Sequence, residues 1–135
     1  INKKRMADVI FNNLEKRRAA EKIIHPEVVK TAKKIKAEIL SKKPDAVIVF
    51  EVPLLFEAGL SRLFDKIIVV YCSEATAINR TVKAGLSEEQ ALKRMRAQMP
   101  ISRKKTRADF LINNSSKISN LKPRIAGILK KLTVS

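Results

Sequence analysis

Glycine is scarce: three in 135 residues, with Gly59, Gly85 and Gly127 standing far apart. A loop of the Gly-x-x-x-x-Gly-Lys-Ser/Thr type cradles phosphates with backbone N–H groups that glycines leave exposed. No segment of this sequence can form that loop. Aromatics are few as well, with no Trp, one Tyr and five Phe, so aliphatic side chains must build the core. They are not interleaved with the basic residues as a stacking platform for single strands requires. The single Cys72 excludes an internal disulfide and a multi-cysteine zinc site, and it fits a reducing compartment. His25 is the one histidine, and no positioned Ser or Cys nucleophile accompanies it. Apolar runs stop well short of a membrane span, and no secretory segment is evident. The expectation is a cytoplasmic protein with no membrane partner.

What is abundant is positive charge. Lys and Arg number 29 against 13 Asp and Glu, a net +16. Such a balance favours polyanions: nucleic acid, nucleotides, phosphorylated cofactors or acidic lipid. A lysine-rich solvated surface explains it equally well. The basic residues are scattered from Lys3 to Lys131, and no helix carries a continuous stripe. Charge alone therefore does not select nucleic acid. A hydrophobic fraction of 45% supports one folded domain rather than a disordered tail.

Periodicity predicts helices over 2–12, 14–24 and 26–41, with His25-Pro26 resetting the chain between the last two. Val28, Ala32, Ile35 and Ile39 form the apolar side of the third. Ala46 to Phe50, Lys66 to Tyr71 and Phe110 to Ile112 read as buried parallel strands. Leu60 to Phe64 is a helical turn, and helices are predicted over 74–84, 88–98, 101–107 and 118–132. Ser87-Glu88-Glu89-Gln90 is a capping box. Strands alternating with helices after residue 45 argue an α/β layer architecture. Three parallel strands make a small sheet, and we expect further chain to complete it.

Several segments, in order, carry a family resemblance. They are Ile1 to Phe11, His25-Pro26, Val52 to Glu57, Gly85 to Ala91, Arg94 to Pro100 and Ala108 to Ser115. Together the sequence resembles the dephospho-coenzyme A kinases over essentially its whole length. The resemblance implies a P-loop kinase fold with a parallel sheet core, a helical substrate domain and a helical lid. It places 1–43 in the helical substrate domain, 44–73 in the core with its substrate loop, 74–107 in the lid, and 108–135 in the last core strand and helix. It implies ATP-dependent phosphorylation of the ribose 3′-hydroxyl of dephospho-coenzyme A, with Mg²⁺. The rival reading is a basic nucleic-acid-binding or adaptor protein without enzymatic activity.

Two landmarks of that family have no counterpart here: the amino-terminal strand with its P-loop, and an early catalytic Asp. These 135 residues alone are therefore expected to be inactive as a kinase. The lid stretch Arg80 to Ser87 looks one residue short of the family pattern, with Lys83 where a second Arg is usual. The final turn has Asn113-Asn114 where Asp-Asn is usual.

The resemblance also implies roles. Arg80 is the candidate catalytic residue, a guanidinium that neutralises the transferred phosphoryl group. His25, Pro53, Leu54, Leu55, Glu57 and Gln98 are candidate contacts of dephospho-coenzyme A. Arg80, Arg94 and Asn114 are candidate ATP contacts, and no residue is assigned to metal, although Glu51 sits where a carboxylate near magnesium could lie. Arg96, Lys104 and Arg107 are secondary lid candidates. Each has a plainer reading: a helix cap for His25-Pro26, apolar packing for Leu54 and Leu55, a solvated helix Arg for Arg80, and an ordinary turn for Asn114. Arg94 and Gln98, four apart, are expected to face one ligand from one helix.

Overall fold

A computed structural model of the chain describes Val9 and residues 13–133. The chain forms two compact units, 1–51 and 52–135. The predicted helix over 2–12 lies outside the described residues except at Val9, which is helical.

The first unit is built on one long helix, α1, Leu14–Lys42. Asn13 opens it: its side-chain oxygen accepts the Lys16 N–H at 2.9 Å. The expected break at His25-Pro26 does not occur, because α1 runs straight through Pro26. Proline removes a single N–H from the ladder, and the flanking Ala, Glu and Lys residues are good helix formers. Ion pairs Arg17–Glu21 and Lys34–Glu38, each four residues apart, brace the helix surface. Its half-buried stripe includes Ala20, His25, Val29, Ala32 and Leu40, whereas Val28, Ile35 and Ile39 are exposed. The packed side is thus rotated from the one periodicity suggested.

Residues 46–50 carry no regular secondary structure. The predicted strand there fails because a strand exists only by pairing, and the two-stranded sheet recruits other segments. A strand-like alternation does survive, with Ala46, Ile48 and Phe50 half-buried while Val47 and Val49 are exposed.

The second unit contains that sheet. β1, Ile68–Tyr71, pairs in parallel with β2, Phe110–Asn113, in the register Val69↔Leu111 and Val70↔Ile112. Register partners share a face, yet the buried residues are Val69 and Ile112, on opposite faces. Val70 and Leu111, their partners across the ladder, are left exposed. Helices account for the cover: α4, Ile101–Lys105, packs on β1 and α5, Ile118–Thr133, packs on β2. Parallel strands require a crossover, and α2 (Glu74–Lys83), α3 (Glu88–Arg96) and α4 supply it.

The ends of the crossover helices are chemically specified. Ser73 caps α2 by accepting the Thr76 N–H. At its far end the Gly85 N–H donates to the Val82 carbonyl and the Leu86 N–H to the Thr81 carbonyl, a Schellman motif. That motif needs a left-handed residue, and Gly85 supplies it with φ 96°. Ser87 and Gln90 form the predicted capping box of α3. Ala91, one turn into α3, is 1% exposed, and α3 packs against α2.

Candidate functional site

Parallel strands in α/β layers present ligand sites beyond their carboxyl ends. Here those ends are Tyr71 and Asn113, held together as the Asn114 N–H donates to the Tyr71 carbonyl at 2.7 Å. A cleft of about 690 Å³ opens there, between the strand ends and the α3–α4 connection. Val70, Leu92, Met95 and Met99 give it an apolar wall; Arg96, Gln98, Lys104 and Asn114 give it polar groups. A smaller hollow of about 420 Å³ adjoins Tyr71, Ser73 and Ser115. On its rim the Lys105 ammonium lies 4.2 Å from the centre of the Tyr71 ring, a cation–π contact.

Lys104 organises the cleft's floor. Its side chain is 11% exposed, and its ammonium lies 2.8 Å from Glu57 Oε1. It also donates to the Pro53 carbonyl and to Gln98 Oε1, each at 3.2 Å. Glu57 Oε1 accepts the Met99 N–H as well, at 2.8 Å. Loop 53–57 is thus fastened to the α3–α4 connection by one cation and one carboxylate. Partial burial pushes the Glu57 pKa up, but the hydrogen bonds from Lys104 and Met99 outweigh it and hold the carboxyl below its ordinary value.

The structure brings Pro53, Glu57 and Gln98 together around Lys104; of these residues Gln98 and Lys104 line the cleft, as does Asn114. Leu55 beside them is half-buried and Leu54 is 38% exposed. Phe56 lies inward of Arg107, whose guanidinium is 5.9 Å from the ring centre. Arg94 and Gln98 do not share a helix, since α3 ends at Arg96 and Gln98 lies past its cap at Ala97. Met99 precedes Pro100, and a residue before proline disfavours the helical region, so the helix stops short. Arg96 lines the cleft in place of Arg94. Arg80 is exposed in the last turn of α2, and Lys83 is exposed at its end. His25 and Glu51 belong to the other compact unit. Lys104 stood only as a secondary lid candidate in the sequence; its inward role was not legible, because Pro53 and Glu57 reach it through long-range folding.

Comparison with known proteins decides the lineage. The dephospho-CoA kinase family model matches residues 1–120. The chain belongs to the dephospho-CoA kinase family. It is 39% identical over 132 residues to the dephospho-CoA kinase of Carboxydothermus hydrogenoformans, covering 97% of this chain and 64% of that protein. It is 35% identical over 133 residues to that of Aquifex aeolicus, covering 98% and 66%. The chain therefore spans about two thirds of the length of the curated relatives it matches.

Among solved structures it superposes on TT1252 from Thermus thermophilus with a TM-score of 0.75 at 32% identity, covering 98% of this chain and 68% of that one. A dephospho-CoA kinase from Campylobacter jejuni matches with a TM-score of 0.61 at 27% identity, covering 98% and 66%. The α/β class with a parallel core and flanking helices, expected of a P-loop kinase fold, is the fold observed. No helix among the described residues is long and apolar enough to cross a membrane. Among the described residues no group of three or more His, Cys, Asp and Glu is placed to hold a metal ion.

Proposed function

We propose that the protein carrying this chain phosphorylates the ribose 3′-hydroxyl of dephospho-coenzyme A from ATP, giving coenzyme A and ADP in the cytoplasm. The observation that carries the reading is the cleft beyond the carboxyl ends of two parallel strands, in a chain of the dephospho-CoA kinase family. ATP and the coenzyme precursor are both substrates here, and Mg²⁺ accompanies ATP.

The family resemblance supports the following roles. Residues 1–43 serve as the helical substrate domain, with His25 as a contact. Residues 44–73 form core and substrate loop, 74–107 the lid, and 108–135 the closing strand and helix. Pro53, Leu54, Leu55 and Glu57 wall the acceptor side, where apolar surface suits the pantetheine arm. Asn114, half-buried at the strand end, reads the adenine edge of ATP with its side-chain amide. Arg80 and Arg94 approach the phosphates. Arg80 stands at an exposed position from which a long side chain can swing toward a phosphoryl group, and it neutralises charge that develops in transfer. The basic surface attracts anionic substrates generally, and no sequence-specific nucleic acid is a partner.

Incubating the full-length protein with Mg-ATP and dephospho-coenzyme A tests the reading. Coenzyme A formation is expected; its absence across a range of pH sinks the assignment.

A further inference from the structure

Lys104 has three N–H donors, and three oxygens surround its ammonium: Glu57 Oε1, the Pro53 carbonyl and Gln98 Oε1. Its donors are spent within the protein, which removes it from the phosphate-contacting roles that a lid lysine suggests. The same geometry settles the orientation of Gln98. An ammonium can only donate, so the amide must turn its oxygen to Lys104 and its nitrogen away. Gln98 lines the cleft, and among the described residues no hydrogen bond takes up its two N–H groups. A side-chain amide that could present either an acceptor or a donor is thereby made a donor.

We propose that Lys104 is a positioning residue that fixes Gln98 as a hydrogen-bond donor to an acceptor oxygen of dephospho-coenzyme A. The inference rests on the kinase reading above. It assigns Gln98 to the acceptor substrate rather than ATP because the cation that orients Gln98 also grips the Pro53 carbonyl and Glu57. Those groups belong to the loop assigned above to the acceptor side, and both are bonded to Lys104. Gln98 and loop 53–57 are therefore held in one frame, and a ligand against one lies beside the other. The Met99 N–H bond to Glu57 anchors the residue next to Gln98 and restrains its backbone as well.

The test uses full-length protein, with steady-state kinetics in both substrates and a thermal midpoint for each variant. Wild-type turnover of dephospho-coenzyme A is measured first. Its absence overturns the kinase reading, and this proposal with it. The decisive variant is Gln98→Glu, which keeps oxygens for Lys104 but has no N–H to offer. It is expected to raise KM for dephospho-coenzyme A about tenfold, the scale of one lost donor, with kcat and the KM for ATP changed less than about twofold. Gln98→Ala should do the same, and both leave the Lys104–Glu57 pair in place. Lys104→Met should raise the same KM and also lower the thermal midpoint. In the double variant Lys104→Met/Gln98→Ala the KM effect should not exceed that of either single change, because the two act as one unit. A wild-type KM for dephospho-coenzyme A in Gln98→Glu overturns the donor role. So does a rise confined to the KM for ATP. Additive KM effects of Lys104→Met and Gln98→Ala overturn the claim that Lys104 acts through Gln98.

Discussion

Ile67 and Asp109 are bonded in both directions at the entrance to the sheet. The Ile67 N–H donates to Asp109 Oδ2 at 2.8 Å, and the Asp109 N–H donates to the Ile67 carbonyl at 2.9 Å. Lys66 adds an ion pair to the same carboxylate at 3.3 Å. The contact lies just before both strands and sets the register that follows, Ile68 opposite Phe110. The bond from Ile67, with lesser help from Lys66, holds the Asp109 carboxyl below its ordinary pKa. Asp109→Ala should lower the urea midpoint of unfolding more than Lys66→Ala does. The backbone bond is the larger influence, and exposed ion pairs contribute little. Equal effects of the two variants would show that the register is set elsewhere.

Glu57 predicts a pH dependence. Its folded-state pKa lies below that of the unfolded chain. Its stabilisation is therefore fully present above the unfolded value and is lost as pH falls through the folded value. Glu57→Gln should flatten the acid limb of stability against pH while leaving the contribution of Asp109 in place. At neutral pH, Glu57→Ala should cost about 1–2 kcal/mol, the scale of charge-assisted hydrogen bonds at a partly exposed site. Urea denaturation from neutral to acid pH measures both effects. An acid limb of unchanged slope in Glu57→Gln would refute the linkage.

Which parts of this fold were legible in the sequence follows from the range of the interactions that make them. The cap of α3 at Ser87 and the turn at Gly85 are set by neighbours within a few residues, and both read directly from the sequence. The runs 67–71 and 110–112 are continuously apolar, and the strands fall there, at Ile68–Tyr71 and Phe110–Asn113. Ala46 to Phe50 has the same composition but no ladder, because pairing is not a property of one segment. Pro26 misleads for the opposite reason: a local rule for proline yields to the helix propensity on either side. At the candidate site, Glu57 and Gln98 stood out through family motifs. Lys104 was legible only as a lid candidate; its part in joining them was not, since its contacts with Glu57 and Pro53 depend on tertiary folding.

Pro26 offers a direct measure of that compromise. In a helix interior, proline is roughly 3 kcal/mol less favourable than alanine. Part of this is recovered because proline also restricts the unfolded chain. Pro26→Ala should therefore stabilise the first unit by about 2 kcal/mol and raise helical circular dichroism. If His25-Pro26 contacts the acceptor substrate, the same variant should leave KM for ATP unchanged while altering that for dephospho-coenzyme A. A fall in stability would mean that α1 depends on a bend at Pro26.

Arg80 provides the last test, because it separates chemistry from binding. The residue is exposed, in the final turn of α2, and its carbonyl accepts the Ala84 N–H that helps to end the helix. That bond is made by the backbone, so truncating the side chain should leave the fold and the thermal midpoint almost unchanged. A guanidinium that meets the phosphoryl group chiefly in the transition state contributes to kcat rather than to ground-state affinity. In the full-length protein, Arg80→Ala should lower kcat by roughly a hundredfold or more, with KM for dephospho-coenzyme A changed by less than about threefold. Arg80→Lys should recover little, since a point charge lacks the planar fork that spans two phosphate oxygens. A rise in KM at constant kcat would instead make Arg80 a ground-state contact. Wild-type kinetics in Arg80→Ala would return it to an ordinary solvated side chain and pass the phosphoryl-neutralising role to another basic residue.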